Sequence, residues 1–136
     1  MKRAPQLKAV MTPFPYYIES SASVVEARAM MEEHDIRHLP VTRHGELKGI
    51  LSERDARSEA NAEKSVAESC SLDVYVVDFN ARLDSVAQNM ADQHLEYALI
   101  TRKDRLAGIF TVTDACRCLA DLIRSEFPDD SDPLVA

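Results

Sequence analysis

The segment KGILSERDAR recurs as AGIFTVTDAC, with Gly49 and Gly108 standing 59 positions apart in a chain of 136 residues. The register holds without gaps over most of each half. Tyr16 falls on Tyr75, Ala22 on Ala81, Met31 on Met90, Thr42-Arg43 on Thr101-Arg102, and Asp55-Ala56 on Asp114-Ala115. Matching hydrophobic positions in one register require two like folding units. Two tandem copies make one pseudo-symmetric pair, not a long solenoid.

Each copy reads as β-α-β-β-α. In the first, Pro15 to Ile18 is expected as a strand, and Ser23 with Glu26 forms a capping box at a helix start. Val24, Ala27, Met30 and Met31 follow at helical spacing. Leu39 to Thr42 is a second strand, from whose full central pairing Pro40 is barred. His44-Gly45 turns the chain into a third strand, Leu47 to Leu51. A helix begins at Ser52 and fades near Ala62. In the second copy, Val74 to Val77 is a strand, and Leu83, Val86, Ala87 and Met90 mark a helix. Tyr97 to Thr101 and Leu106 to Phe110 form a hairpin through Lys103-Asp104, and a helix runs from Thr113 to Ser125. The expected units are residues 8–62 and 63–125, with a flexible acidic tail at 126–136. The fold class is therefore α/β (α+β), two repeats packed sheet to sheet. A unit this short leaves an apolar sheet face uncovered, and a second copy can bury it.

With 46% hydrophobic residues, disorder is excluded as the general state. No apolar run reaches the roughly 20 residues needed to span a bilayer. The basic start lacks the apolar segment of a secretory signal, so a soluble cytoplasmic protein is expected. The net charge of −7 argues against duplex nucleic acid as a partner. A locally basic pocket for a small anion remains compatible with it. The three cysteines form no CxxC pair; they are expected reduced, without a zinc role. His34 and His38 are four apart, but the strand signal at Pro40 breaks the helix a metal pair would need.

Chemistry concentrates in two segments, Gly49-Ile-Leu-Ser52-Glu-Arg54-Asp55 and Gly108-Ile-Phe-Thr111-Val-Thr113-Asp114. Each places a hydroxyl and a carboxylate three residues apart at a helix start. A carboxylate can accept from two neighbouring hydroxyls, as acidic residues do on ribose. Exposed N–H groups and hydroxyls at a helix start suit a phosphate. The preceding glycine permits close approach of backbone or ligand. Helix capping alone explains one such match, and capping and ligand binding can coexist.

The two segments, the opening KAVMTPFPYYI and the strand Leu39-Pro40-Val41 together resemble the tandem CBS domain pair, or Bateman module. The resemblance covers residues 8 to 124. It implies regulatory binding of AMP, ADP or ATP, with S-adenosylmethionine, NAD or cyclic di-AMP as alternatives. It also implies a homodimer that signals to an effector protein. By the same resemblance, Asp114 and Asp55 hold ribose hydroxyls, while Ser52, Thr111 and Thr113 touch phosphate or ribose. The base would lie against Tyr16, Tyr17 and Ile18, with Arg37 and His38, facing the Asp114 motif, and Thr12 at the mouth. For Asp55 the equivalents are Val76, Val77, Glu96 and Tyr97, with Ser71 replacing Thr12. Glu96 stands where the first copy has Arg37, and its carboxylate would repel phosphate; Arg54 could compensate. The Asp114 site is therefore the first candidate. No nucleophile-base-orienter set and no Gly-x-x-x-x-Gly-Lys loop is present, so a non-enzymatic module with no required cofactor is expected. A dimerisation scaffold with vestigial pockets is the alternative.

Overall fold

The computed structural model describes residues 3–128. The expected tail lies largely outside the described residues, which end at Pro128 just after the last helix. The elements run α1 (Leu7–Val10), β1 (Thr12–Pro13), β2 (Ile18–Glu19), α2 (Val24–His34), β3 (His38–Arg43), β4 (Glu46–Ser52) and α3 (Glu53–Arg57). The second half continues with α4 (Val66–Ser69), β5 (Val76–Asp78), α5 (Leu83–Asp92), β6 (Tyr97–Arg102), β7 (Arg105–Thr111) and α6 (Val112–Glu126). The strands form two sheets, ordered β2-β3-β4 and β1-β7-β6-β5.

The local chemistry accounts for most of these elements. Ser23 Oγ accepts from Glu26 N–H, and the Glu26 carboxylate accepts from Ser23 N–H, so the expected capping box starts α2. Asp35, left-handed at φ 51°, ends that helix, and His34 and His38 fall on different elements. The β3–β4 hairpin turns through His44 and Gly45 (φ 51° and 83°), and the β6–β7 hairpin through Lys103 and Asp104 (φ 53° and 64°). Two positive φ values in a row are what tight hairpins with right-handed strand twist require.

Three elements differ from expectation by more than one residue at a boundary. The strand expected at 15–18 is only Ile18–Glu19, and the one expected at 74–77 is Val76–Asp78. The helix after Ser52 stops at Arg57, and a separate 3-10 turn follows at Glu59–Asn61. Pro40 explains part of the first difference. Its second-copy counterpart, Leu99, donates its N–H to Tyr75 O at 2.9 Å. Proline has no N–H to give, so β2 pairs with β3 only from Val41 onward, while β4 pairs through Pro40 without a break.

The core has three parts. One, around Val24, Met31, Leu39 and Leu51, lies between the first sheet and its helices. The second, around Val86, Met90, Ile100 and Phe110, does the same for the second sheet. The third joins the sheets face to face through Ile50, Leu99 and Ile109. This is the sheet-to-sheet packing expected from two half-covered units.

Chain order and packing do not coincide. Leu7, 1% exposed, belongs to the second half's core, and β1 pairs with β7. Val66, fully buried, belongs to the first half's core, and Ser71 bridges to Ile50 of β4. The segment before each copy therefore packs on the other copy. The glycines of the two motifs make room for these arms. A Cβ on Gly49 would meet Ser71 O at 2.5 Å, and one on Gly108 would meet the Met11 thioether. The close approach that glycine permits here is made by the chain itself.

Candidate functional site

The hairpin registers place both motifs at one end of the paired sheets. His38 is the partner of Ser52 in β3–β4, and Tyr97 is the partner of Thr111 in β6–β7. Arg37 O accepts from Glu53 N–H at 2.8 Å, and Glu96 O accepts from Val112 N–H at 3.1 Å. The two halves meet there. His38 Nε2 lies 3.2 Å from a carboxylate oxygen of Glu96, and the His38 and Tyr97 rings are 5.4 Å apart. Both hydroxyl–carboxylate motifs thus flank one bridge between the repeats.

The two carboxylates are used differently. Asp114 is 8% exposed. One oxygen accepts from Thr111 N–H (3.0 Å) and from Thr111 Oγ1 (3.1 Å), while Thr111 Oγ1 accepts from Asp114 N–H (3.2 Å). The other oxygen accepts from Arg117 at 3.4 Å. Asp114 therefore closes a capping box on α6. At the first motif only half of this exists: Ser52 Oγ accepts from Asp55 N–H at 3.1 Å. The half-buried Asp55 carboxylate has no hydrogen bond or ion pair among the described residues. Arg54 beside it is exposed and also unpaired among them.

The remaining candidates divide by position. Arg37 stays with its own repeat, 3.8 Å from Glu53, which also pairs with Arg57 at 3.0 Å. Tyr16 is half-exposed and stacks on His34 with ring centroids 3.7 Å apart. Tyr17 is exposed. Ile18 is turned into the first core, so its side chain is spent on packing. Thr12, Thr113 and Val76 are exposed, and Val77 packs on the second core. Ser71 Oγ accepts from Asp73 N–H. Tyr97 packs against the inter-sheet core, and burial pushes its hydroxyl pKa up. Burial pushes the His38 imidazole pKa down, although the Glu96 carboxylate pulls it the other way. The His38–Glu96 bridge and the Arg117 contact to Asp114 were not anticipated from the sequence. The second was in reach of it, since an acid and an arginine three apart on a helix face one another.

Cavities also lie elsewhere. One, of about 530 Å³, is walled by α1, α5 and α6 and includes Leu7, Phe79, Leu83, Leu119 and Leu122. A smaller polar one, of about 140 Å³, is lined by Arg28, Glu32, Arg37, Glu53 and Arg57. Neither is lined by Asp55 or Asp114. Among the described residues no cluster of three or more His, Cys, Asp or Glu could hold a metal ion. None of their helices is long and apolar enough to cross a membrane.

A face-to-face pair of such repeats, with segments exchanged and duplicated motifs meeting at one end, defines a tandem-repeat module. The CBS domain model matches twice, at residues 7–61 and 66–121, and the chain belongs to that family. The CBS domain-containing protein YhcV of Bacillus subtilis (strain 168) is 26% identical over 113 residues, covering 79% of this chain and 81% of YhcV. The crystal structure of the Vibrio cholerae protein AcuB superposes with a TM-score of 0.81 at 28% identity, over 96% of this chain and 100% of that one. The CBS domain pair of protein MJ0100, in complex with 5′-methylthioadenosine and S-adenosyl-L-methionine, gives a TM-score of 0.80 at 25% identity, over 88% and 99%.

Proposed function

We propose that this chain is a non-catalytic regulatory module that binds an adenosine-containing ligand between its two repeats and passes that state to a partner protein. The observation that carries the proposal is the meeting of both hydroxyl–carboxylate motifs beside the His38–Glu96 bridge. A molecule seated there touches both halves and so shifts their relative arrangement by its differential affinity. Asp55 and Asp114 would accept from ribose hydroxyls, with Ser52, Thr111 and Thr113 nearby, and the base would contact Tyr16, Tyr17, Val76 or Tyr97. AMP, ADP or ATP is the proposed class, with S-adenosylmethionine, NAD and cyclic di-AMP as alternatives; MJ0100, with its two adenosyl ligands, supports that chemistry. We place the module in the cytoplasm as a homodimer. The exposed apolar side chains Leu119, Leu122 and Ile123 of α6 support self-association.

Calorimetric titration with AMP, ATP, NAD and S-adenosylmethionine tests this, and at least one should bind. Silence from all four would favour a second reading, a dimerisation scaffold with vestigial pockets. The capping role of Asp114 is the observation on its side.

A further inference from the structure

We infer that the cavity walled by α1, α5 and α6 is a separate binding site, and that it takes a small monocarboxylate with an apolar body, of the medium-chain acyl type. It is lined by neither motif acid and does not rest on the adenosine-binding reading.

Three observations carry it. First, the cavity is large and apolar at its base. Its volume of about 530 Å³ falls among those of small-molecule sites, roughly 300–1,000 Å³. Leu7 and Phe110, each 1% exposed, line it together with four alanines, Ala4, Ala81, Ala87 and Ala115. A packed interior holds few voids larger than a water molecule, so this is more than a packing fault. An acyl chain seated there gains contacts that the walls otherwise lack.

Second, the apolar lining is peculiar to the second half. In the 59-residue register, Phe79, Ala87, Cys118 and Leu122 match Ser20, Arg28, Glu59 and Glu63. The repeat as such does not build this wall, because the first half carries polar side chains at the same places.

Third, the mouth is positive although the chain as a whole carries −7. Lys8 Nζ lies 5.5 Å from the centre of the Phe79 ring, and the Arg102 guanidinium lies 5.1 Å from it. Neither cation has an ion pair among the described residues. Arg82, on the same wall, is held by Asp84 through two hydrogen bonds of 2.9 Å, and the pair brings no net charge. An anionic head beside Phe79 therefore meets Lys8 and Arg102, whose N–H groups offer it charge-assisted hydrogen bonds. A cationic head is repelled there.

The test is calorimetric titration of the full chain with decanoate and with decylammonium, for wild type and Lys8→Glu. Decanoate should bind and decylammonium should bind more weakly. Losing a hydrogen bond to a charged group corresponds to roughly a tenfold loss of affinity or more. Lys8→Glu should weaken decanoate by about that factor at low salt and should not weaken decylammonium. Lys8 is exposed, so the fold should survive the change. Alkylation locates the ligand. Decanoate should slow the reaction of Cys118, half-buried in the cavity wall, several-fold, and leave the exposed Cys116 unchanged. Trypsin cuts after Arg117, so the two thiols are read on separate peptides. The inference is overturned if decanoate does not bind, if decylammonium binds as tightly, if Lys8→Glu leaves decanoate unchanged, or if Cys118 is not shielded. Leu119 and Leu122 of the proposed self-association face belong to the same wall, so a second copy is the rival occupant. Shielding of Cys118 that rises with protein concentration alone, with no decanoate bound, would decide for that copy and against the inference.

Discussion

Gly49 and Gly108 occupy matching places in two copies of one motif, yet they face different neighbours. A methyl group on Gly49 runs into the backbone carbonyl of Ser71, which cannot swing aside. On Gly108 it meets the Met11 side chain, which has rotamers to spare. Gly49→Ala should therefore cost about 1–3 kcal/mol by overpacking, and Gly108→Ala less. Urea denaturation of both variants checks the order. The acids diverge in the same way. Asp114→Ala removes the acceptor of a capping box and should cost about 1 kcal/mol, whereas Asp55→Ala should cost only a few tenths. Equal costs would contradict the different bonding of the two carboxylates. The motif itself was legible in the sequence, because hydroxyl, acid and glycine recur in one register. Which acid is tied up was not. A capping box and a ribose-binding pair call on the same atoms, and only geometry shows which bonds are already made.

At the scale of elements, the bridge between the starts of β3 and β6 should leave a mark on acid stability. Burial lowers the pKa of His38 in the folded protein from the ordinary 6.5, with Glu96 and Glu53 opposing and Arg37 adding to the shift. The unfolded chain then takes up the proton first as pH falls. Stability is therefore full above about 6.5, declines as pH drops from there towards the lower folded value, and levels off below it. Carboxylates also titrate in acid, so the measurement is a difference: the melting temperature of His38→Gln should fall less between pH 7 and 5 than that of wild type. The last helix carries a second expectation. Leu119, Leu122 and Ile123 lie exposed beside the larger cavity. On the self-association proposed above, Leu122→Glu should shift sedimentation towards the single chain with little change in unfolding free energy. A charge on a surface that is already wet costs little within one chain. Helices and hairpins were readable from capping residues, turn residues and apolar spacing. The shortness of β2 and β5 was not. Their edges are set by what the neighbouring strand can pair, and a proline on β3 decides one of them.

For the molecule as a whole, the 59-residue register announced two units and their face-to-face packing. It could not announce the exchange of arms. Leu7 matches Val66, and Met11 matches Cys70, so a sequence comparison sees the same arm twice without saying which half receives it. Removing the residues before Phe14 takes Leu7 and Met11 away from the second core. Burying one large aliphatic side chain is worth about 1.5–3 kcal/mol, so the truncated chain should unfold at clearly lower urea. Its first half should be lost together with the second, in one transition. Two transitions would mean that the halves stand independently.

The exchanged arms also bear on how such a module can grow or shrink. One copy alone would hold out an arm with nowhere to dock and leave a bare groove waiting for a stranger's. Two copies satisfy each other in a closed ring of give and take, and a third would find neither a free arm nor a vacant groove. The same interlocking obliges any tug on one half to travel through the shared arms into its twin. A ligand seated at one end of the sheets, as proposed above, would thus act on both halves.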